Sequence, residues 1–130
     1  MGQATLELLA PREDVWSFLA EPYHLSDWWP GITGVEPDRR GFAPGARWKV
    51  LATKRNVFVG PRPSETMLLI NEIEPYERWA WHLLKPRTDV EIRLRSMGEA
   101  RTAVTVSTNR GSANRAVQRL YDLVQTAATL

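Results

Sequence analysis

A chain of 130 residues with 43% hydrophobic and 25% charged side chains has the length and balance of one globular domain built on one core. It contains no cysteine, which removes disulfides, thiol catalysis and thiolate metal sites. The formal net charge is +2 with basic and acidic residues interleaved, so charge draws no nucleic-acid footprint; no apolar run nears the ~18 residues of a membrane span. The N-terminus lacks a basic segment followed by an apolar block, so no signal peptide is expected, and a cytoplasmic location fits the absence of cysteine.

Taken in order, Gln3 to Leu9 reads as a first strand, with Thr5, Glu7 and Leu9 opposite Ala4, Leu6 and Leu8. Residues 10 to 30 then divide at prolines into two short helical pieces. Pro11 suits a first helical position, with Glu13 and Asp14 in the first turn and Val15, Trp16, Phe18 and Leu19 as the apolar face. Pro22 stops that piece. Leu25, Trp28 and Trp29, spaced i, i+3, i+4, form the face of the second, which Pro30 and Gly31 end.

Strands follow one after another. Ile32 to Glu36 is the second, Pro37 to Gly45 a loop, and Ala46 to Thr53 the third, with Trp48, Val50 and Ala52 on one face. Between Lys54 and Ser64 the triplet Val57, Phe58, Val59 reads either as a lid at a hairpin tip or as a plain strand end, and Gly60-Pro61-Arg62-Pro63 as a turn. Glu65 to Ile73 is the fourth strand and Pro75-Tyr76-Glu77 a turn. Arg78 to Leu84 is the fifth, with Trp79, Trp81 and Leu83 opposite Ala80, His82 and Leu84. In Asp89 to Ser96, Val90, Ile92 and Leu94 alternate with charged neighbours, which predicts one buried and one wet face. Arg101 to Thr108 is the seventh strand. Ser112 then caps a last helix of roughly 16 residues, about 24 Å long, whose inward stripe is Val117, Leu120, Tyr121 and Val124.

The opening "APREDVWSFLAEPYHLSDWWPGITGVE" resembles that of the polyketide cyclase/dehydrase group of the START-related (SRPBCC) superfamily, at residues 10, 11, 15, 16, 28 to 31 and 35. Gly41 to Val50 and Ile70 to Leu83 are similar to the group's next two recurrent stretches. The resemblance covers nearly the whole chain. It implies a single α+β domain over 1–130 with the helix-grip fold. In that fold a curved antiparallel sheet of about seven strands wraps the C-terminal helix, and two short helices follow the first strand. The buried face of the sixth strand is then expected against Val117, Leu120 and Tyr121.

Such folds hold apolar ligands between sheet and helix, and the expected partner is a small hydrophobic or aromatic molecule. Candidate liners are Trp28, Trp48, Met67, Trp79, Trp81, Ile92 and Tyr121, with Asn71 placed to orient a ligand carbonyl. The alternatives are a cyclase, aromatase or dehydratase-type enzyme, or a protein-interaction domain like the related co-chaperone domains. For an enzyme, His82, set among apolar residues, and Asp27, beside two tryptophans, are the candidate acid and base. Neither a cofactor nor a metal is expected, since His24 and His82 are the only histidines and lie on different elements.

Overall fold

Alternating apolar and polar residues over six consecutive segments require antiparallel strands that share one buried face. The computed structural model, which describes residues 2–56, 60–85 and 87–129, has that arrangement. The strands are β1 (Gly2–Leu8), β2 (Ile32–Glu36), β3 (Arg47–Asn56), β4 (Gly60–Glu74), β5 (Arg78–Leu83), β6 (Thr88–Ser96) and β7 (Thr102–Thr108). They form one sheet in the order β1-β7-β6-β5-β4-β3-β2, so β2 to β7 make a meander and β1 joins its far edge. The helices are α1 (Arg12–Ala20), α2 (Leu25–Trp28), joined to α1 through a 3-10 turn at Pro22–His24, and α3 (Ala113–Thr129). This is the helix-grip α+β fold. No described helix is long and apolar enough to cross a membrane.

Local chemistry sets the element ends. Pro11 precedes α1 rather than opening it: its backbone is extended, and its carbonyl accepts from the Asp14 and Val15 amides. The Ser112 hydroxyl accepts from the Arg115 amide at 3.2 Å, the cap expected at the start of α3. Gly60 to Pro63, expected as a turn, belong instead to β4, where Pro61 and Pro63 stand opposite Arg55 and Thr53. β4 meets β5 only from Leu68 onward, so both prolines lie where the strand has no second neighbour and their missing N–H groups cost no ladder bond. Val57, Phe58 and Val59 lie outside the described residues.

Register assigns the side chains to faces. Ile70, Trp81 and Val90 form one inward row across β4, β5 and β6, and Ile73, Trp79 and Ile92 the next. Trp28, Trp48, Trp79 and Trp81 are all fully buried. Their rings form a continuous cluster that Phe42 and Trp16 extend: Phe42 lies 5.6 Å from Trp16 and 4.9 Å from Trp79, and Trp79 lies 5.9 Å from both Trp48 and Trp81. The helix α3 does bury Val117, Leu120 and Val124. Its backbone, however, runs nearest β1, β7 and α2, while β6 is approached by α1. The inward stripe of α3 shares one core with Val90, Ile92 and Leu94 of β6, and its backbone lies closest to the β1 edge.

The convex face carries charge. Arg78 reaches Glu72, Glu74 and Glu91, and Arg93 Nε donates to Glu91 at 2.5 Å. Glu91 is held below the usual carboxylate range by the Arg93 hydrogen bond first, with Arg78 adding to it. Asp38 is lowered chiefly by the backbone amide of Arg47, which donates at 2.9 Å and pins the β2–β3 loop to the start of β3.

Two outcomes follow from the packing and the charges. Trp79→Ala, read by chemical denaturation, is expected to cost about 3–5 kcal/mol, the range for a large aromatic removed from a core. Because Glu91 and Asp38 have depressed folded-state values, their stabilisation is present above the unfolded carboxylate pKa of about 4 and is lost as pH falls through the folded one. Denaturation midpoints should therefore drop below pH ~4, and the drop should be shallower in a Glu91→Gln, Asp38→Asn double variant.

Candidate functional site

Side-chain volume on the inward face of the sheet runs in a gradient. At the end just described, tryptophan and isoleucine rows leave no room. One step along, Trp48 stands opposite Leu68; next come Val50 opposite Thr66 and Ala52 opposite Ser64. Leu83 and Thr88 continue this smaller surface on β5 and β6. Interiors pack to near-crystalline density, so a run of small inward residues that nothing covers leaves space. Here it is a pocket of about 240 Å³.

Two turns complete its wall. Trp29, Pro30 and Gly31 close it from the end of α2, with Ile32 below, and Arg110 and Gly111 from the loop that leads into α3. Gly31 and Gly111 have φ of +89° and +87°, a left-handed backbone that glycine adopts without steric cost and that folds both turns beside the pocket. The Trp29 ring lies 5.0 Å from Trp81 at 76°. It is thus the partition between the filled interior and the open end.

The polar groups of the pocket are few. The Thr66 hydroxyl accepts from the Lys85 amide at 2.8 Å, and the Ser64 hydroxyl donates to the Ala52 carbonyl. Thr88 is buried, and Lys85 and Arg110 stand exposed at the mouth. No Asp, Glu or His lines it, and no group of acids and histidines able to hold a metal occurs among the described residues.

The residues singled out from the sequence are distributed otherwise. Trp28, Trp48, Trp79, Trp81 and Ile92 come together as fully buried packing, and none of them lines this pocket. Tyr121 is partly buried against the same core. Met67 and Asn71 fall on the convex side: Met67 pairs with outward Lys49, and Asn71 sits exposed at a bulge in β4 and borders a groove on that face. His82 also faces outward, its Nδ1 2.6 Å from Asp89 Oδ1. Asp27 is exposed in the first turn of α2. His24 is engaged structurally, stacked on Phe18 and bonded to the Phe18 carbonyl at 2.8 Å.

The buried indole N–H groups differ in their partners. Trp48 Nε1 donates to the Gly41 carbonyl at 2.7 Å. Those of Trp28, Trp79 and Trp81 meet no oxygen. Each belongs to a ring in steeply angled contact with another, Trp28 and Trp81 with Trp29 and Trp79 with Phe42. What sequence reading missed is the small-residue row Val50, Ala52, Ser64 and Thr66. Its signal was present: inward positions with little volume at the hairpin end of strands that elsewhere carry tryptophan.

Residues 9–127 match the family model described as Activator of Hsp90 ATPase homolog 1-like protein. The chain belongs to that family. No curated protein matches the sequence. Among solved structures, this family member resembles a norcoclaurine synthase point mutant from Thalictrum flavum, with a TM-score of 0.71 at 15% identity, over 98% of this chain and 94% of that one. It also resembles the di-domain aromatase/cyclase StfQ of the steffimycin biosynthetic pathway, with a TM-score of 0.68 at 18% identity, over 98% of this chain and 45% of that one. The chain thus spans less than half the length of that di-domain protein. A protein from Nitrosomonas europaea matches with a TM-score of 0.67 at 16% identity, over 98% of this chain and 97% of that one. At such identities the likeness is one of fold.

The outward placement of His82 yields an expectation. His82→Ala should leave the affinity of any ligand in the Trp29-walled pocket within about twofold, since the side chain lies on the other face of the sheet. Titration calorimetry of the parent and variant with one probe checks it.

Proposed function

We propose that this protein binds a small hydrophobic or aromatic molecule at the open end of its grip. The observation that carries this reading is the apolar pocket of about 240 Å³ walled by Trp29, Ile32, Val50, Ala52 and Leu83. A dry cavity of about 150 Å³ is large enough for benzene, whereas drug-sized ligands occupy roughly 300–1,000 Å³. The fitting occupant therefore has one or two rings. A long polyketide chain exceeds the space, because the tryptophans fill the remainder of the interior.

Support comes from the chemistry of the wall and from the fold. Apolar and aromatic surface with a few fixed polar groups is the usual composition of small-molecule sites. The norcoclaurine synthase neighbour is described in complex with a transition-state analogue, so in that relative the fold accommodates a small molecule. The binding reading is preferred to a cyclase-type reaction because the pocket lining contains no carboxylate or imidazole to move a proton.

Cinnamamide, a neutral one-ring probe, tests the proposal. It is expected to quench the fluorescence of the pocket tryptophan and to shift the amide resonances of Gly31 and Gly111, with a dissociation constant on the order of 0.1–1 mM. Ala52→Phe, which places a ring in the pocket, should abolish both effects without lowering the melting temperature by more than a few degrees. Shifts that spare Gly31 and Gly111, or binding that survives Ala52→Phe, would overturn the site.

A further inference from the structure

The charges at the pocket are of one sign. Lys85, in the turn after β5, and Arg110, in the loop after β7, both line it, and no acidic side chain does. Neither cation is paired with a carboxylate among the described residues. Elsewhere, Arg78, Arg93, Arg101 and Lys49 each lie against a glutamate. Asp89, the acid nearest Lys85 in sequence on that strand pair, holds His82 on the opposite face. Its amide bonds the Asn109 side chain, which ties the β7–α3 loop to β6.

The backbone adds to the same sign. Arg110 and Gly111 lead directly into α3, a helix of 17 residues whose positive dipole end lies at this loop. An apolar floor with unmatched positive charge only at its mouth favours one ligand geometry. The ring enters the floor, and a negative head stays at the rim, where water still solvates it and its burial cost is small.

We propose that the pocket selects small aromatic or apolar carboxylates, holding the ring against Trp29, Val50 and Ala52 and the carboxylate between Lys85 and Arg110. This rests on the binding reading above and gives it a substrate class. Rim charges attract in water with modest strength that salt screens, so the selection is by charge and the affinity for the ring by burial.

The experiment compares trans-cinnamate with cinnamamide, which share a ring and differ in charge, by calorimetry on the intact chain. Cinnamate is expected to bind on the order of tenfold tighter at low salt, and the gap should shrink as ionic strength passes about 0.5 M. In a Lys85→Met, Arg110→Gln double variant, whose positions are exposed and whose stems are kept, the gap should close to within about twofold. Equal affinity of acid and amide for the parent protein would overturn the carboxylate class and leave the pocket reading standing. A gap that persists in the double variant would overturn the assignment to these two residues. Absence of binding by both probes would overturn the pocket reading and this inference together.

Discussion

Four fully buried tryptophans, Trp28, Trp48, Trp79 and Trp81, stand in one contact cluster inside a sheet that is bent around them. Each ring contributes large apolar area, and tilted or edge-on contacts between them add to it. Their combined volume decides what else the interior can hold. The backbone of α3 lies nearest β1 and β7, α2 joins the cluster through Trp28 and Trp29, and the loop before β3 joins it through Phe42. On the inward face, the pocket lies where the side chains shrink to Ala52, Ser64 and Thr66.

The same constraint sorts polar chemistry between the faces. A buried apolar interior disfavours unpaired charge, and the buried polar residues among those described are threonines: Thr88, Thr102 and Thr108. The Thr102 hydroxyl donates to the Ala10 carbonyl and that of Thr108 to the Arg110 carbonyl, so both spend their donors on turns that shape the domain. Glu72, Glu74, Arg78, Glu91 and Arg93 of β4, β5 and β6 form a charged lattice on the convex face. A histidine–aspartate contact at His82 and Asp89 is therefore part of the outer surface, remote from the pocket by the thickness of the sheet.

The pocket mouth is built from turns, which tolerate glycine and charge where strands do not. Gly31 and Gly111 supply the left-handed backbone, and Lys85 and Arg110 the charge. Trp29 joins mouth and core in one side chain, touching Trp81 inside and lining the pocket outside.

The residue pattern by itself determined the alternation along the strands and, in β6, which face is buried. In β6, Val90, Ile92 and Leu94 against charged neighbours have a period of two that permits a single orientation once one face is buried. In β5, by contrast, the burial of Trp79 and Trp81 rather than His82 was decided by the tertiary structure. The pattern likewise determined the short helices, through Pro11, Pro22 and the Leu25, Trp28, Trp29 spacing, and the cap at Ser112. Tertiary structure alone decided which of the inward residues meet empty space. Trp48 and Ala52 share a face four residues apart, yet one is sealed in the core and the other borders the pocket, because what covers a strand position depends on elements distant in sequence. Lys85 and Arg110 were invisible for the same reason: two charges on turns separated by two strands become neighbours of one pocket only when the sheet curls. Asn71 shows the converse: it keeps the face of Met67 as alternation requires, but that face is the convex one, because Leu68 and Ile70 are the residues of β4 turned to the core.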